Sequence, residues 1–407
     1  MKIIFVCGVY PQGMEKYFLS HCKGVGLQNA ANVFQWSLIE GLYENQVDFH
    51  AVSMPSLPRY PIRYNKMFTP SGALTYYKKK IGVYLRYNTF AFSKDYSQRC
   101  RLSNYIKNWL KQQNNDDNEK IVILTYSATG SVLKAITSIK KKNPNVIIAS
   151  IIADLVDDAT NPIFSLSRLK YLQARREQIL VKKAYDHIDK FILLSSFMEE
   201  KILQSHNCNI VIEGLASKVD TAPVQLKNKQ IKTVLYTGAV HEFAGILNLI
   251  EAFKLVRENN VKLIICGSGD CMTKAQALSK EDLRIEFKGN VSHEEAISYQ
   301  HQADLLVNPR LPVVSLTKYS FPSKTMEYLS SGTPMLGYRL DGIPKEYYDH
   351  FFTPSDFGVK ALAEKIEEIL TMTPEALRDF GQKAKDFIHT QKEAKVQVEK
   401  IIEFLNK

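Results

Sequence analysis

Short apolar segments alternate with amphipathic stretches along most of this 407-residue sequence. The first segment, residues 2–7 (KIIFVC), is followed by the turn residues Gly8, Pro11 and Gly13. Continuous apolar runs of this length are typical of strands buried on both faces of a parallel sheet, because crossover helices cover both sides. The alternation therefore predicts doubly wound α/β structure.

The alternation runs through both halves of the chain. It predicts strand segments at 120–126, 145–153, 190–195, 232–238, 261–270, 284–292, 303–309 and 333–338, and helices at 168–186, 245–258, 359–370 and 375–390. We therefore expect two tandem Rossmann-like domains that face a central cleft. They would occupy residues 1–215 and 231–390, joined by the polar linker 216–230.

The composition is that of a globular protein, with 45% hydrophobic and 23% charged residues. The longest apolar stretch, 146–155, is about half as long as a membrane-spanning helix, and the N-terminus lacks the cleavage site of a signal peptide. The six cysteines show no paired CxxC spacing. We therefore expect reduced thiols in a cytoplasmic protein, with at most a peripheral contact at the inner face of the cell membrane.

The net charge of +11 arises in the first half of the chain. Residues 1–200 contain 27 Lys and Arg against 16 Asp and Glu, whereas the remainder contains 26 of each. Two explanations stay open: a solvated basic face, or attraction to an anionic partner. Residues 55–101, rich in Pro, Tyr, Lys and Arg and too long for an ordinary βα loop, are the candidate contact with an anionic membrane surface. No recognised nucleic-acid-binding motif is present, so we expect no nucleic-acid partner.

One carboxylate stands among alcohols and small residues in YSFPSKTMEYLSSGTP, residues 319–334. Pro322 and Ser323 suit the first turn of a helix, where unpaired N–H groups and the positive dipole end attract a phosphate or diphosphate. Lys324 adds a positive charge there. Glu327, one turn later, is placed to bind vicinal hydroxyls such as those of a ribose; a solvated helix acid is the alternative explanation.

Ligands of open α/β sheets bind beyond the carboxyl ends of the strands. Other residues of the second half fall at such ends, and we expect them to converge on one crevice with Glu327: Gly238, Gly267, Ser268, Gly269, Asn290, Val291 and Arg310. The turns at 267–269 and 289–291 would line the pocket for a nucleotide base.

These elements belong to a longer pattern: GAVHEFAGILNLIEAF, VKLIICGSGD, FKGNVSHEE, ADLLVNPR, YSFPSKTMEYLSSGTPML and DGIP. Over most of residues 232–350 the pattern resembles the nucleotide-sugar domain of retaining glycosyltransferases of family 4, which have the GT-B fold. The resemblance is strongest to bacterial enzymes that build surface polysaccharides such as capsules and exopolysaccharides. The first half of the chain matches that family only in layout.

The resemblance implies a donor nucleotide bound to the second domain. Glu327 would bind its ribose, and the amides near Ser323 and Lys324 would bind its diphosphate. It also implies that the last helix, 391–407, packs back on the first domain.

Two features of the first half acquire a possible role through the same resemblance. The loop with Gly24 and Gly26 would close over the donor phosphate, and a plain tight turn is the alternative. Asp154 follows a buried strand at a place where the family often has a His or Asp near the donor sugar, and a helix cap is the alternative.

The sequence departs from the family pattern at two places. Family members commonly carry a second Glu, eight residues before the ribose Glu, where this chain has Tyr319. They also carry an Arg and a Lys after the first strand of this domain, where His241 is the only possible cation. Arg310, Lys318 and Lys324 would then neutralise the diphosphate. Loss of activity and a divergent subfamily both explain these changes, and the intact Glu327 and glycine turns favour the latter.

The function that the resemblance implies is a metal-independent, retaining hexosyltransferase that moves a sugar to a saccharide or lipid-linked saccharide acceptor, and we expect UDP as the donor nucleotide. No DxD pair or His/Cys cluster indicates a metal site, so we expect no cofactor. The candidate catalytic residues are Asp154, Tyr319 and Lys324. Two alternatives stay open: an inactive nucleotide-sugar-binding subunit or scaffold of the same fold, and a nucleotide-sugar epimerase.

Overall fold

The computed structural model describes residues 1–24, 26–113, 119–155, 168–202, 208–218, 224–225, 229–313 and 317–407 (backbone only at 168–170 and 173). Contacts divide the chain into two compact units. The first comprises Met1–Ser217 with Ala394–Lys407, and the second comprises Lys218–Glu393. The expected linker spans this division, and its residues 219–223 and 226–228 lie outside the described ranges.

The first unit is built on one sheet. Its described strands are β1 (Lys2–Cys7), β2 (Asp48–Ser53), β3 (Gly72–Tyr76), β4 (Lys79–Tyr84), β5 (Ile121–Tyr126), β6 (Ile147–Ile152), β7 (Lys190–Leu193) and β8 (Cys208–Val211). They pair in the order β3-β4-β2-β1-β5-β6-β7-β8, and all pairs except β3 with β4 are parallel. Ile3, Ile4 and Phe5 are fully buried at its centre.

The helices of the first unit follow the strands. They are α1 (Glu15–Ser20), α2 (Asn29–Glu44), α3 (Lys94–Gln113), α4 (Gly130–Lys140), α5 (Arg168–Tyr185) and α6 (Glu199–Ile202), with the C-terminal helix over Ala394–Asn406. The C-terminal helix packs along α2. At its carboxyl end, Lys190 Nζ donates to Phe404 O at 2.7 Å and Lys120 Nζ to Asn406 O at 2.8 Å. Cations at this end complement the helix dipole.

Residues 55–101 are more regular than the sequence predicts. Strands β3 and β4 form an antiparallel hairpin that extends the sheet beside β2, so this segment is not one long irregular loop. Tyr77 and Lys78 form the turn with φ of 45° and 62°. Two-residue hairpin turns need positive φ and usually consist of Asn-Gly or Asp-Gly. With Tyr-Lys at the turn, the usual sequence signal is missing.

The second unit contains a smaller sheet. Its described strands are β9 (Lys232–Thr237), β10 (Val261–Cys266), β11 (Ile285–Gly289), β12 (Leu305–Asn308) and β13 (Met335–Gly337), and its helices are α7 (Ile246–Leu255), α8 (Met272–Ser279), α9 (His293–Gln302), α10 (Ser323–Ser331), α11 (Val359–Thr371) and α12 (Pro374–Phe387). The strands are parallel, in the order β11-β10-β9-β12-β13. Strand order therefore reverses between β9 and β12, where ligands bind in such sheets.

The loops that leave the strands at this edge pack backbone against backbone. A Cβ on Gly267 would lie 1.8 Å from Gly238 O, and one on Gly269 would lie 2.2 Å from Val240 O. Val240 N donates to Ser268 O at 3.0 Å, and Cys271 N to Val240 O at 3.0 Å. The glycines of the GSG turn are thus required by the close approach of the β9 and β10 loops.

We expect Gly269→Ala to destabilise the second unit by about 1–3 kcal/mol, because the added methyl meets a backbone carbonyl that cannot rotate away. Urea unfolding followed by circular dichroism measures the change. The matched control is Gly358→Ala, since a Cβ there meets no atom within 4 Å. Equal stability of the two variants would contradict the packing described for the loops.

Candidate functional site

Helix α10 begins at the edge where strand order reverses. Pro322 is its N-cap and Ser323 its exposed first residue, as the sequence predicts. The buried Thr325 anchors the first turn, since Asn308 Nδ2 at the end of β12 donates to its Oγ1 at 3.4 Å. A Cβ built on Gly238 would lie 3.7 Å from Lys324 Cε. The amino end of α10 therefore lies beside the β9 loop, with the amides of Ser323 and Lys324 in its first turn.

Glu327 is held by two donors in the structure. Lys324 Nζ lies 2.8 Å from Glu327 Oε1, and Gln300 Nε2 donates to the same oxygen at 2.5 Å. Among the described residues no donor reaches Oε2, and the Glu327 side chain is 24% exposed. Oε1 thus accepts hydrogen bonds from within the protein, and Oε2 can accept hydrogen bonds from a ligand.

A buried network connects this carboxylate to the end of β9. Gln300 Nε2 also donates to Thr237 Oγ1 at 3.0 Å. Thr237 N donates to the Tyr328 hydroxyl at 2.8 Å, and that hydroxyl donates to Thr237 O at 3.0 Å. Burial raises the pKa of Tyr328 far above its usual value, so the phenol stays protonated. The network fixes α10 against β9.

Further cations expected at the diphosphate lie on the loop before α10. Arg310 Nη2 donates to Ser320 Oγ at 3.2 Å, and Lys318 Nζ lies 5.5 Å from the centre of the Tyr319 ring. Tyr319, where the family commonly has a Glu, is therefore a ring beside a cation. The neighbouring residues 314–316 lie outside the described ranges.

His241 has a partner that the sequence does not suggest. Its Nδ1 lies 2.8 Å from Asp270 Oδ1, and its ring stacks on Phe243 at 5.4 Å. The hydrogen bond with His241 lowers the pKa of Asp270. His241 is thus fixed between the β9 and β10 loops by its hydrogen bond with Asp270.

The remaining predicted residues of the second unit lie on its loops. Ser268 is exposed in the GSG turn. Asn290 and Val291 follow β11 and precede Ser292, whose side chain forms a capping box with Glu295 at the start of α9. Asn290 is exposed and Val291 half-buried. All three stand after strands at the carboxyl edge of the sheet.

Gly24, Gly26 and Asp154 belong to the first unit. Gly24 has φ of 62°, and a Cβ on either glycine would meet no atom within 4 Å; Val25 lies outside the described residues. Asp154 is exposed after β6; burial raises the pKa of Tyr126 at the end of the adjacent β5, and the charge of Asp154 raises it further. Within their own unit, these residues follow strands β1 and β6 in the chain.

Four residues at this edge were missed by the sequence reasoning: Thr237, Asp270, Gln300 and Tyr328. Each of them contacts a residue that is distant in the sequence; Gln300 and Thr237, for example, are 63 positions apart. In the described ranges no group of three or more His, Cys, Asp or Glu is placed to hold a metal ion.

Residues 218–387 match the family model of "Glycosyl transferases group 1". No curated protein sequence matches the chain. The matched range contains β9 to β13, the loops between them and α10, so the sequence match and the geometric site fall on the same part of the molecule.

The similarity to solved structures extends over the whole chain. Sucrose-phosphate synthase from Thermosynechococcus elongatus has a TM-score of 0.65 at 15% identity, with 100% of this chain and 98% of that chain covered. A variant of TarM from S. aureus, solved with UDP, has a TM-score of 0.63 at 12% identity. HepE from Anabaena, solved with UDP and glucose, has a TM-score of 0.58 at 13% identity. In both cases 100% of each chain is covered.

These likenesses confirm the predicted fold class, an α/β fold of the GT-B type. Together with the family match they support an enzyme that transfers glycosyl groups. The chain thus has the fold of GT-B glycosyltransferases over its length, and its residues 218–387 match the model of glycosyl transferases group 1.

Proposed function

We propose that this protein is a retaining glycosyltransferase of family 4 that uses a UDP-linked sugar as donor. The acceptor is a saccharide or lipid-linked saccharide in surface-polysaccharide synthesis, and the enzyme works in the cytoplasm at the inner face of the cell membrane. The observation that carries the donor half is Glu327, whose Oε2 has no donor among the described residues, beside the amino end of α10. The UDP bound by TarM and HepE supports the choice of nucleotide.

The arrangement suits the charge changes of glycosyl transfer. The bond between the anomeric carbon and the phosphate oxygen breaks, the acceptor hydroxyl attacks from the same face, and its proton passes to the departing oxygen. Negative charge then grows on the diphosphate, and preorganised donors stabilise it most effectively. We assign this task to the first amides of α10 with Lys324, Arg310 and Lys318. These groups supply the positive charge, so no metal ion enters the proposal.

Lys324 exchanges partners in this proposal. Without ligand its ammonium group pairs with Glu327 Oε1 at 2.8 Å. A diphosphate at the amino end of α10 offers the ammonium group more negative charge than one carboxylate does. Lys324 therefore turns to the diphosphate when donor binds, and Gln300 continues to hold Glu327.

The membrane contact rests on a surface of the first unit, which we call the basic-aromatic surface and define as residues 59–68 and 86–99. The two segments are joined through their backbones: Tyr60 N donates to Thr89 O at 2.9 Å, and Thr89 N to Met67 O at 2.8 Å. The segments therefore form one continuous patch.

Large apolar side chains stand out from this surface among cations. The exposed ones are Ile62, Met67, Phe68, Phe92 and Tyr96, with Phe92 91% and Ile62 67% exposed. Arg86 lies over the Phe68 ring at 4.8 Å and Arg99 over the Tyr96 ring at 5.4 Å. Aromatic rings beside cations suit the headgroup region of a bilayer.

The charge of the surrounding segment favours anionic lipid. Residues 55–101 contain ten Lys and Arg and one acid, Asp95, which pairs with Arg59 at 2.9 Å. None of the helices in the described ranges combines the length and apolar composition needed to cross a bilayer. The proposed contact is accordingly a surface contact, driven by charge and by shallow insertion of Phe92 and Ile62.

Glu327→Gln should weaken UDP binding by about ten- to a hundredfold, since it replaces the charged acceptor of the ribose hydroxyls by a neutral one. Thermal stabilisation by UDP, GDP, ADP, CDP and dTDP measures the effect, because a ligand at 100 times its Kd adds about 2.7 kcal/mol of stability. UDP should stabilise the wild type most.

Glu294→Gln is the matched control, since it removes an exposed acid from α9. It should leave UDP binding unchanged. If no nucleotide stabilises the wild type, the proposed donor site is wrong. If Glu327→Gln binds UDP as well as the wild type does, Glu327 does not contact the ribose. A product whose anomeric configuration is inverted relative to the donor would overturn the retaining mechanism.

Replacing both Phe92 and Ile62 by Ser should reduce binding to anionic membranes at least about tenfold, because burying one large apolar side chain contributes roughly 1.5–3 kcal/mol. Flotation with phosphatidylcholine vesicles, with and without phosphatidylglycerol, measures binding. Leu283→Ser is the control, since Leu283 is 99% exposed on the second unit. Wild-type protein that fails to float with vesicles containing phosphatidylglycerol would disprove the membrane contact.

A further inference from the structure

Gln300 is a polar side chain in an unusual place. It lies in the last turn of α9 and is fully buried, while its neighbours His301 and Gln302 are exposed. Its backbone carbonyl accepts a hydrogen bond from Thr333 Oγ1 at 2.8 Å, which fixes α9 to the segment that follows α10. A buried amide costs free energy unless its polar atoms are paired, so its contacts should reveal its role.

The two donor hydrogens of Gln300 are both used. One goes to Thr237 Oγ1 at 3.0 Å and the other to Glu327 Oε1 at 2.5 Å. The carbonyl oxygen of the same amide has no partner among the described residues. Rotating the amide by half a turn would direct this oxygen at the Glu327 carboxylate, which cannot donate, and would lose the hydrogen bond to Oε1. The observed orientation is therefore the one that serves Glu327.

The carboxylate of Glu327 is consequently fixed from one side. Gln300 and Lys324 approach the same oxygen, Oε1, from two different helices. The lysine is a flexible side chain that is partly exposed, whereas the glutamine is fully buried. When the lysine turns to a diphosphate, Gln300 is the donor that remains, and it keeps Oε2 directed away from the protein interior.

We propose that Gln300 is a positioning residue that orients Glu327 toward the ribose of the nucleotide and so sets the preference for ribonucleotides. The proposal rests on the proposed function, in which Glu327 binds the ribose hydroxyls. A hydrogen bond to a ribose hydroxyl discriminates against a deoxyribose only if the acceptor is fixed in place, because a mobile acceptor finds water instead. Gln300 supplies that fixation.

A purely structural role for Gln300 makes a different prediction. Loss of the buried amide would then loosen α9 and weaken the binding of all nucleotides by the same factor. Loss of an orienting group removes only the hydrogen bonds to the ribose hydroxyls. The ratio of affinities for UDP and its deoxy analogues separates the two roles, since a general loss of affinity cancels in the ratio.

The experiment measures the affinities of full-length wild type and Gln300→Met for UDP, 2′-deoxy-UDP and 3′-deoxy-UDP by isothermal titration calorimetry. Methionine keeps the size of the side chain and removes both donor hydrogens. We expect the wild type to prefer UDP over at least one deoxy analogue by about tenfold or more. In Gln300→Met this preference should fall to about twofold or less.

Thr237→Val is the matched control, since it removes the other acceptor of Gln300 Nε2 and leaves the contact with Glu327 intact. It should keep the preference for UDP. Should Gln300→Met fold poorly, Gln300→Glu replaces it: a second carboxyl beside Glu327 must share a proton with it, so the preference should become dependent on pH.

The outcomes separate the two proposals. A wild type that does not bind UDP, or binds UDP and both deoxy analogues equally, overturns the assignment of Glu327 to the ribose. A wild type that prefers UDP, with the same preference in Gln300→Met, leaves that assignment intact and overturns the role of Gln300. A preference lost equally in Gln300→Met and Thr237→Val means that the whole hydrogen-bond network orients Glu327, and it overturns the specific role of the contact from Gln300 to Glu327.

Discussion

The close approach of backbones at the carboxyl edge of the second sheet is the constraint on which the rest of the site depends. Three glycines face a backbone carbonyl of the neighbouring loop, at the place where a Cβ would otherwise lie. Gly267 faces Gly238 O, Gly269 faces Val240 O and Gly245 faces Pro309 O. These contacts join the loops after β9, β10 and β12 into one rigid rim. This packing fixes the amides and carbonyls of the rim before any ligand binds, which reduces the cost of ordering them.

Polar side chains at the rim are arranged as partly exposed pairs. Lys324 pairs with Glu327, and His241 pairs with Asp270. Each pair is partly exposed, so it contributes little to stability and opens at little cost. The buried links are uncharged, through Tyr328, Thr237 and Gln300. Neutral hydrogen bonds therefore maintain the shape of the site, while the ionic groups stay available to a charged ligand.

The sequence predicts the strands and the start of α10 well and the contacts of Glu327 poorly, for one physical reason. Buried parallel strands and a helix that starts at Pro322 leave signals within a few adjacent residues. Gln300 reaches Glu327 across 27 residues and Thr237 across 63, and its neighbours in sequence are also polar. The hairpin at Tyr77 and Lys78 was missed because its turn lacks glycine. Periodicity reports which face is buried, but it does not report which polar side chain pairs with which.

Packing restricts the sequence of the two units to different degrees, and this difference explains why only one of them carries a recognisable family pattern. In the second unit, a rim of packed backbones restricts which residues fit at many positions, so the sequence retains a family signature at residues 218–387. The first unit needs apolar strands and helices that cover them, and this leaves the residues on its surface largely unconstrained. Its excess of Lys and Arg lies largely in such surface positions, the basic-aromatic surface among them. The surface residues of the first unit can therefore vary in charge without disturbing its strands, whereas the packed loops of the second unit restrict such variation.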